Sequence, residues 1–571
     1  MTRLKTVKKP SCFFVLLFFC INAFAQEKAT PPPAKISLPS DTAKVVPDKS
    51  AKMEAKKPEI ELPDVMITGK DQQLRTAGEK ELLLPQSPTL VVPRSPYEAV
   101  SRWTQTDSTK PQAQLTLPKD KLSWLSLQAG GYTTILADAG YWQKSQNGSY
   151  RLSGWLDRSN GEFKNSAYSQ GGLSGTGQIK LSPSVKAVGQ AEYALYSRGL
   201  YRTEPAKMSR RAHAGNLSGS LEYTIDELSE ATFAFGIGGA VLRSDTSQVE
   251  LQKSGDFWYT LKGDVTTRWA GIQWTFSGDF LRESFDYEDT TNVRSSLANL
   301  VGEASIPVSK KVIGVLGLSY QAAVTDTLAG KNRISPYGKL YFMPSRFLGL
   351  SAQVETGYRL TTFTQWWQRN PYVAHQVPLT PEETTLRLRT ECEVNLSSGV
   401  KLSGSYQRLW MESAFYWQRN DSLNTIELYP LADPRFTEIA LGIEANLSDR
   451  LRLDASYITY ANKVAITEQL ELQERIPYIP DFRIPVRSYL SFYKDLELAI
   501  FANIYGKRPA ALNLTKRLPS FALVDVSLSK KIGDNVTLLG TVRNIFDTGY
   551  VLWEEFSETG VYVMIGARAK F

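Results

Sequence analysis

Residues 560–571 alternate strictly between two kinds of side chain. One set of alternate positions is apolar: Val561, Val563, Ile565, Ala567, Ala569 and Phe571. A period of two is typical of a β-strand with one apolar and one polar face. The segment is about as long as the 9–11 residues that a tilted strand needs to cross a bilayer. It therefore predicts a transmembrane strand with one face towards lipid and the other towards a wet lumen.

A hairpin precedes this strand. It contains Leu523, Val524 and Asp525, then a turn at Gly533, Asp534 and Asn535, then Asn544, Ile545, Phe546 and Asp547, followed by Tyr550. Together with the terminal aromatic Phe571, this order resembles the C-terminal end of TonB-dependent outer-membrane receptors. The Pro-Gly-Arg that often precedes the last strand in that family is replaced here by residues 557–560, Ser-Glu-Thr-Gly. The resemblance implies a barrel whose Tyr562 and Phe571 belong to a C-terminal assembly signal.

Short polar turns recur along residues 121–571 and separate long alternating segments. We count ten of them, near residues 146, 183, 227, 270, 310, 345, 398, 449, 494 and 534. Tight turns at one end and longer loops at the other are typical of outer-membrane barrels. Ten hairpins plus one strand at each end predict an all-β fold: a large antiparallel transmembrane β-barrel of about 22 strands.

The N-terminal region has the features of an exported protein. Four basic residues precede an apolar run and an Ala-Phe-Ala site, so residues 1–25 are predicted to be a signal peptide. Removing them leaves a net charge of 66 − 4 − 58 = +4, which gives no reason to expect nucleic-acid binding. The sequence contains no run of eighteen apolar residues, so it predicts no membrane-spanning helix.

Residues 26–58 are rich in Pro, Lys, Ala and Ser, and we expect a disordered periplasmic linker there. In the following region, 59–120, the segment Asp64, Val65, Met66, Ile67, Thr68 and Gly69 resembles a TonB box. Such a segment can add edge-on to a strand of the energising protein TonB. A tethering strand and an evolutionary relic are the alternatives.

The resemblance also implies a folded plug domain, but the sequence has no room for one. About fifty residues separate Lys70 from the first predicted strand, and they include six prolines. We interpret 59–120 as a TonB-box-like segment and a proline-rich connector in place of a plug. Three closures of the lumen remain open: this connector, the external loops, or a partner protein. We expect the loops to cover only the mouth and a partner to supply the seal.

Catalytic and metal-binding patterns are not apparent. The two histidines, His213 and His375, lie in different predicted hairpins, and Cys392 is the one cysteine beyond the signal peptide. We expect no catalytic residues, no cofactor, no metal site and no intrachain disulfide. His213 is predicted to lie in the lumen or at the rim.

The loop 363–381 is rich in aromatic residues. Its Trp366, Trp367 and Tyr372 are candidates for external contact with a ligand or partner, and the two tryptophans also suit the interfacial girdle. A second loop, 465–485, has three prolines and is expected to be a stiff lid.

The resemblance implies a non-enzymatic transport or receptor-like barrel in the outer membrane, in contact with its lipid. The expected partner is a periplasmic protein or lipoprotein, with TonB as a candidate. The alternative is a scaffold component of an envelope complex. An enzyme inside a barrel is the third hypothesis.

Overall fold

The computed structural model describes residues 121–571, apart from gaps at 164, 201–207, 227, 246–249, 289–290, 327, 346, 398, 421–424, 464–475, 494 and 513–515. The predicted signal peptide, linker and TonB-box-like segment lie outside the described residues. Across the described part of the chain, no helix is both long and apolar enough to span a membrane.

The first half of the described chain consists of long strands. They are β1 (Lys121–Gly130), β2 (Thr134–Ser145), β3 (Gly148–Ser159), β4 (Tyr168–Ser182), β5 (Val185–Gly199), β6 (Ser209–Asp226), β7 (Ser229–Asp245), β8 (Glu250–Trp269), β9 (Ile272–Tyr287), β10 (Thr291–Ser309), β11 (Val312–Thr325), β12 (Leu328–Ser345) and β13 (Leu348–Arg359). A 3-10 turn at Gly131–Thr133 links β1 to β2.

The second half adds a short helix, α1 (Phe363–Arg369), and the remaining strands. These are β14 (Glu382–Ser397), β15 (Val400–Asn420), β16 (Thr425–Ala432), β17 (Arg435–Ser448), β18 (Leu451–Lys463), β19 (Phe482–Tyr493), β20 (Leu496–Tyr505), β21 (Arg508–Pro509), β22 (Arg517–Leu518), β23 (Phe521–Ile532), β24 (Val536–Arg543), β25 (Val551–Trp553), β26 (Phe556–Ser557) and β27 (Tyr562–Lys570).

One antiparallel sheet of 23 strands forms the barrel. Strand β16 forms a hairpin with residues 413–420 of β15, while the rest of β15 pairs with β17. Because β16 is not part of the closed wall, 23 − 1 = 22 strands make the wall. The barrel closes where β1 pairs with β27, with Leu127 opposite Ala567. The predicted count of 22 strands is confirmed.

The two faces of the wall follow the predicted alternation. In β27, Val563 and Ile565 are 49% and 72% exposed, whereas Met564 and Arg568, on the lumen face, are buried. In β1, Leu125 and Leu127 point outward, while Ser126 and Gln128 are buried. An apolar outer face is stable only against lipid, so the alternation specifies both the register and the membrane.

All ten predicted tight turns lie at one end of the barrel. One of them joins β8 to β9 through Ala270 and Gly271, whose φ angles are +52° and +78°. Two consecutive residues with positive φ match the right-handed twist of a hairpin, and glycine adopts this conformation without strain. We call this the tight-turn end and the opposite one the loop end.

The wall is taller on one side than on the other. Strands β6 to β10 have 16–20 residues, whereas β24, β27 and β1 have 8, 9 and 10. About ten residues are enough to cross a bilayer. Since the turns at the other end are short, the extra length of the tall side projects at the loop end.

Candidate functional site

The loop between β13 and β14, residues 360–381, enters the lumen at the loop end of the barrel. It begins with the helix α1, which Thr362 caps. The Thr362 hydroxyl accepts from the Gln365 amide at 3.3 Å, and the Gln365 side chain accepts from the Thr362 amide at 3.0 Å. This reciprocal capping box starts a helix that is too short to be stable in isolation. Contacts with the barrel wall must therefore hold it.

Two buried carboxylates on the lumen face of the tall wall contact the start of α1. Asp256 on β8 accepts from both the amide and the hydroxyl of Thr364, at 2.9 and 2.5 Å. Glu283 on β9 accepts from the Phe363 amide at 2.6 Å. Backbone amides of a first helical turn have no partner within the helix, and a carboxylate stabilises them strongly. These contacts fix where the loop begins its path through the lumen.

Arg210 on β6 holds the middle of the loop. Its Nη1 donates to the carbonyl oxygens of Pro371 and Val373, at 2.9 and 2.6 Å, and its Nε donates to Ser244 at 3.2 Å. The side chain is fully buried. A guanidinium in this position cross-links two backbone carbonyls of the loop to the wall.

His375 docks between two serines of the tall wall. Its Nε2 lies 2.6 Å from Ser244 Oγ and its Nδ1 lies 2.9 Å from Ser254 Oγ. Burial, with a further contribution from the Arg210 charge, lowers the pKa of His375 from 6.5 to about 2. The docked imidazole is therefore neutral at physiological pH. Further along the loop, Ser295 donates to the carbonyl of Leu379 at 2.7 Å.

Aromatic side chains carry the contacts onward across the lumen. Trp366 lies 5.2 Å from Trp417 of the β15–β16 hairpin, measured between ring centroids, and Trp417 lies 5.5 Å from Trp553. Tyr372 stacks on Phe556 at 3.7 Å. Both Trp553 and Phe556 belong to the loop 544–561. We call this group the mouth cluster; its buried members are Phe363, Trp366, Trp367, Tyr372, Val373, Trp417, Ile426, Tyr478, Tyr550, Leu552, Trp553 and Phe556.

The same cluster reaches the opposite wall, formed by β20 and β23. Tyr550 lies 5.0 Å from Phe521, and Phe521 stacks on Tyr505 at 4.8 Å. Arg508, in the loop between these strands, donates to the carbonyl of Val551. A continuous chain of contacts therefore spans the lumen from β6 to β23. The loops form a packed core between the two walls at the loop end, and our expectation that they cover only the mouth stays a prediction.

This arrangement excludes one of the two interpretations of the aromatic loop. Trp366 and Trp367 are 2% and 3% exposed and face the lumen, so placing them in the interfacial girdle is wrong. A girdle residue would lie on the outer face. Tyr372 is also buried. Contact of these three residues with an external ligand stays a prediction, and it requires the mouth cluster to open.

The other predicted residues lie apart from the cluster. His213 is on the outer face of β6, 3.1 Å from the Tyr193 hydroxyl, so its predicted lumen position is wrong, and its rim position stays a prediction. Tyr562 accepts from Arg543 at 3.0 Å, and Phe571 is exposed; their role in assembly stays a prediction. Asp64, Val65, Met66, Ile67, Thr68 and Gly69 lie outside the described residues. Within residues 121–571 as described, no three His, Cys, Asp or Glu side chains group as metal ligands.

Sequence reasoning missed Asp256, Glu283 and Arg210. Each is a charged residue in an alternating strand, which predicts only a wet lumen. A contact with a loop about 80 to 160 residues away has no signature in the local pattern.

Comparison with known proteins shows the family to which this barrel belongs. The family model described as TonB dependent receptor-like, beta-barrel, matches residues 84–545, well over half of the chain. The chain belongs to the TonB-dependent receptor-like β-barrel family. This receptor-like barrel lies in the outer membrane, and its tight-turn end faces the periplasm. A search of curated proteins found no match.

Solved structures share the fold of this receptor-like barrel. The FrpB iron transporter from Neisseria meningitidis, F3-3 variant, is 12% identical with a TM-score of 0.65, covering 80% of this chain and 82% of that one. The siderophore receptor PiuA from Acinetobacter baumannii is 10% identical with a TM-score of 0.62, covering 79% and 82%. The copper transporter OprC is 13% identical with a TM-score of 0.61, covering 79% and 80%. At these identities, the likeness shows the fold alone.

Proposed function

We propose that this protein is a non-enzymatic transport or receptor barrel whose outer mouth is closed by its own loops and opened by a partner or ligand. The observation that carries the proposal is the continuous contact from the β6 wall to the β23 wall through the mouth cluster. A 22-stranded barrel is wide enough to enclose a folded domain, so an unfilled one would leak. The loops 360–381 and 544–561 supply a closure that this chain carries itself.

The closure has the character of a gate. The loop 360–381 is held to the tall wall by hydrogen bonds with Asp256, Glu283 and Arg210. Hydrogen bonds of this kind break together once the loop moves away, since each depends on the same docked position. The loop would then have two discrete arrangements, docked and released, and a switch requires two such arrangements of a segment.

The partner that we propose acts from the periplasm and gates the barrel, and it is a periplasmic protein or lipoprotein, with TonB as the first candidate. Two facts support a partner on the periplasmic side. The chain enters β1 at the tight-turn end, and the family match begins at residue 84, upstream of β1. The segment 64–69 is the proposed attachment point, by strand addition.

A locked gate tests this proposal in cells. The variant Asp256→Cys/Thr364→Cys, in a Cys392→Ser background, places two thiols where the wall now contacts α1. Oxidation should lock the loop and reproduce the phenotype of deleting the gene, and reduction should reverse it. Each single-cysteine variant is the control for loss of the native contact.

The scaffold alternative predicts a different outcome. A scaffold needs the barrel but not the moving loop, so the locked variant would behave like wild type while still co-purifying with its envelope partner. That result would replace transport with assembly as the function.

A further inference from the structure

Arg508 has an unusual environment for a buried cation. It lies on the short strand β21 at the loop end and is 3% exposed. Its guanidinium lies 4.8 Å from the centroid of Phe521 and 6.0 Å from that of Tyr505. One nitrogen, Nη2, donates to the carbonyl of Val551, while Nε and Nη1 have no hydrogen-bond partner among the described residues. Most of its donors are thus desolvated and unused.

Carboxylates are present in the same loops but pair with other cations. Glu554 and Glu555 form ion pairs with Lys516 and Arg419. Burial lowers the pKa of Arg508 to about 10, and the groups that oppose this shift are the hydroxyls of Tyr505 and Tyr478. No carboxylate of the described chain neutralises this guanidinium.

A second guanidinium contacts the same ring. Arg483 on β19 lies 5.2 Å from the centroid of Tyr505 and donates to Asn503 at 3.1 Å. Two guanidinium groups therefore flank one aromatic ring on the lumen side of the mouth. Burying the Arg508 cation without an anion is costly, and unsatisfied buried donors such as its Nε and Nη1 often mark the place of a missing partner.

We infer that Arg508, with Arg483 beside it, forms a binding site for an anionic group of a soluble ligand, a carboxylate or a phosphate. This inference rests on the proposed function and names the ligand class that the gate admits. The planar fork of arginine matches both anions with paired hydrogen bonds. Access requires movement of the loop 544–561, because Val551 covers the guanidinium. The binding energy is then available to favour the open mouth.

Calorimetric titration of the purified full-length protein with citrate and with inorganic phosphate tests the site. We expect saturable binding that Arg508→Gln weakens at least tenfold. Arg508→Lys should give an intermediate loss, since lysine keeps the charge without the fork. The matched control is Arg517→Gln, an exposed arginine on the paired strand β22, which should change affinity less than twofold. The heat-dependent gel mobility of each variant reports whether the barrel has folded.

The closed mouth covers the site, so each titration is repeated in a Trp553→Ala background, which loosens the loop 544–561 that covers Arg508. Absence of binding in both backgrounds overturns the inference, as does equal binding by Arg508→Gln. Binding only to anionic phospholipid in nanodiscs, and to neither soluble probe, overturns it too. None of these outcomes depends on transport, so the locked-gate experiment judges the proposed function separately.

Discussion

Two walls of the barrel hold the mouth cluster in different ways. The tall wall, β6 to β10, uses buried polar side chains that bond to the backbone and side chains of the loop 360–381. The opposite wall, β20 and β23, uses stacked rings, Tyr505 on Phe521 and Phe521 against Tyr550. Polar contacts depend on distance and direction, whereas ring packing depends mainly on buried area. The tall wall also packs Phe285 against Phe363 at 4.9 Å, but its directional hydrogen bonds set the position of the loop, whereas the opposite wall holds the cluster mainly through rings.

The comparison predicts different responses to damage. Loss of a ring weakens the closure at any pH, since apolar burial does not titrate. Loss of a polar contact releases one loop and leaves the remaining rings packed. Protonation acts only on the polar side, because His375 is the histidine that docks there.

The largest effect is expected from Trp553→Ala. Trp553 is 1% exposed and contacts both Trp417 and Tyr478. Truncating a buried tryptophan costs about 3–5 kcal/mol, which is more than a hundredfold in the closed-to-open ratio. Planar-bilayer recordings should show frequent large openings. Trp269→Ala is the control, since Trp269 is exposed at a tight turn. Equal conductance of the two variants would mean that the rings do not hold the mouth.

A somewhat smaller effect is expected from Asp256→Ala. This carboxylate accepts from Thr364 twice and from the Ala240 amide once. Hydrogen bonds to charged groups contribute about 1.5–3 kcal/mol each, and we expect a net loss of about 3 kcal/mol because water replaces some of them. The openings should be smaller than those of Trp553→Ala, since only the loop 360–381 is released.

Asp286→Ala is the matched control for Asp256. It lies on the outer face of β9 and bonds to the exposed Asn292. If Asp286→Ala opens the channel as often as Asp256→Ala, the tall wall acts through general stability and not through the loop.

The smallest effect is a pH dependence carried by His375. Its pKa is about 2 when docked, against an ordinary value of 6.5. Below pH 6.5 the released loop binds a proton that the docked loop rejects, so closure weakens by about 1.4 kcal/mol per pH unit, or about 2 kcal/mol at pH 5. Open probability should rise as pH falls from 7 to 5. His375→Gln should flatten that rise, whereas the outer-face variant His213→Gln should keep it.

Much of the fold could be predicted because its determinants are local. The alternation of Val563 and Ile565 with Met564 defines a strand with two faces, and the turn at Ala270 and Gly271 defines a hairpin. Repeating these two signals gives the strand number. They depend on neighbours in the chain, so one sequence is enough.

The closure could not be predicted in the same way. Trp366 and Trp367 were identified as unusual, but nothing near them in sequence shows whether a loop turns outward or into the lumen. That choice depends on Asp256 and Arg210, which meet the loop only after the strands between them and the loop have paired. A charged residue in a wet lumen and one that caps a loop have the same local pattern.

The claim that this chain closes its own barrel is tested most directly by the conductance of the purified full-length protein, without any partner, in planar bilayers. We predict a silent membrane at pH 7, with openings that appear in Trp553→Ala under identical conditions. Large, noisy conductance of the wild-type protein, quietened by adding a periplasmic partner, would contradict this claim and show that the seal comes from outside the chain.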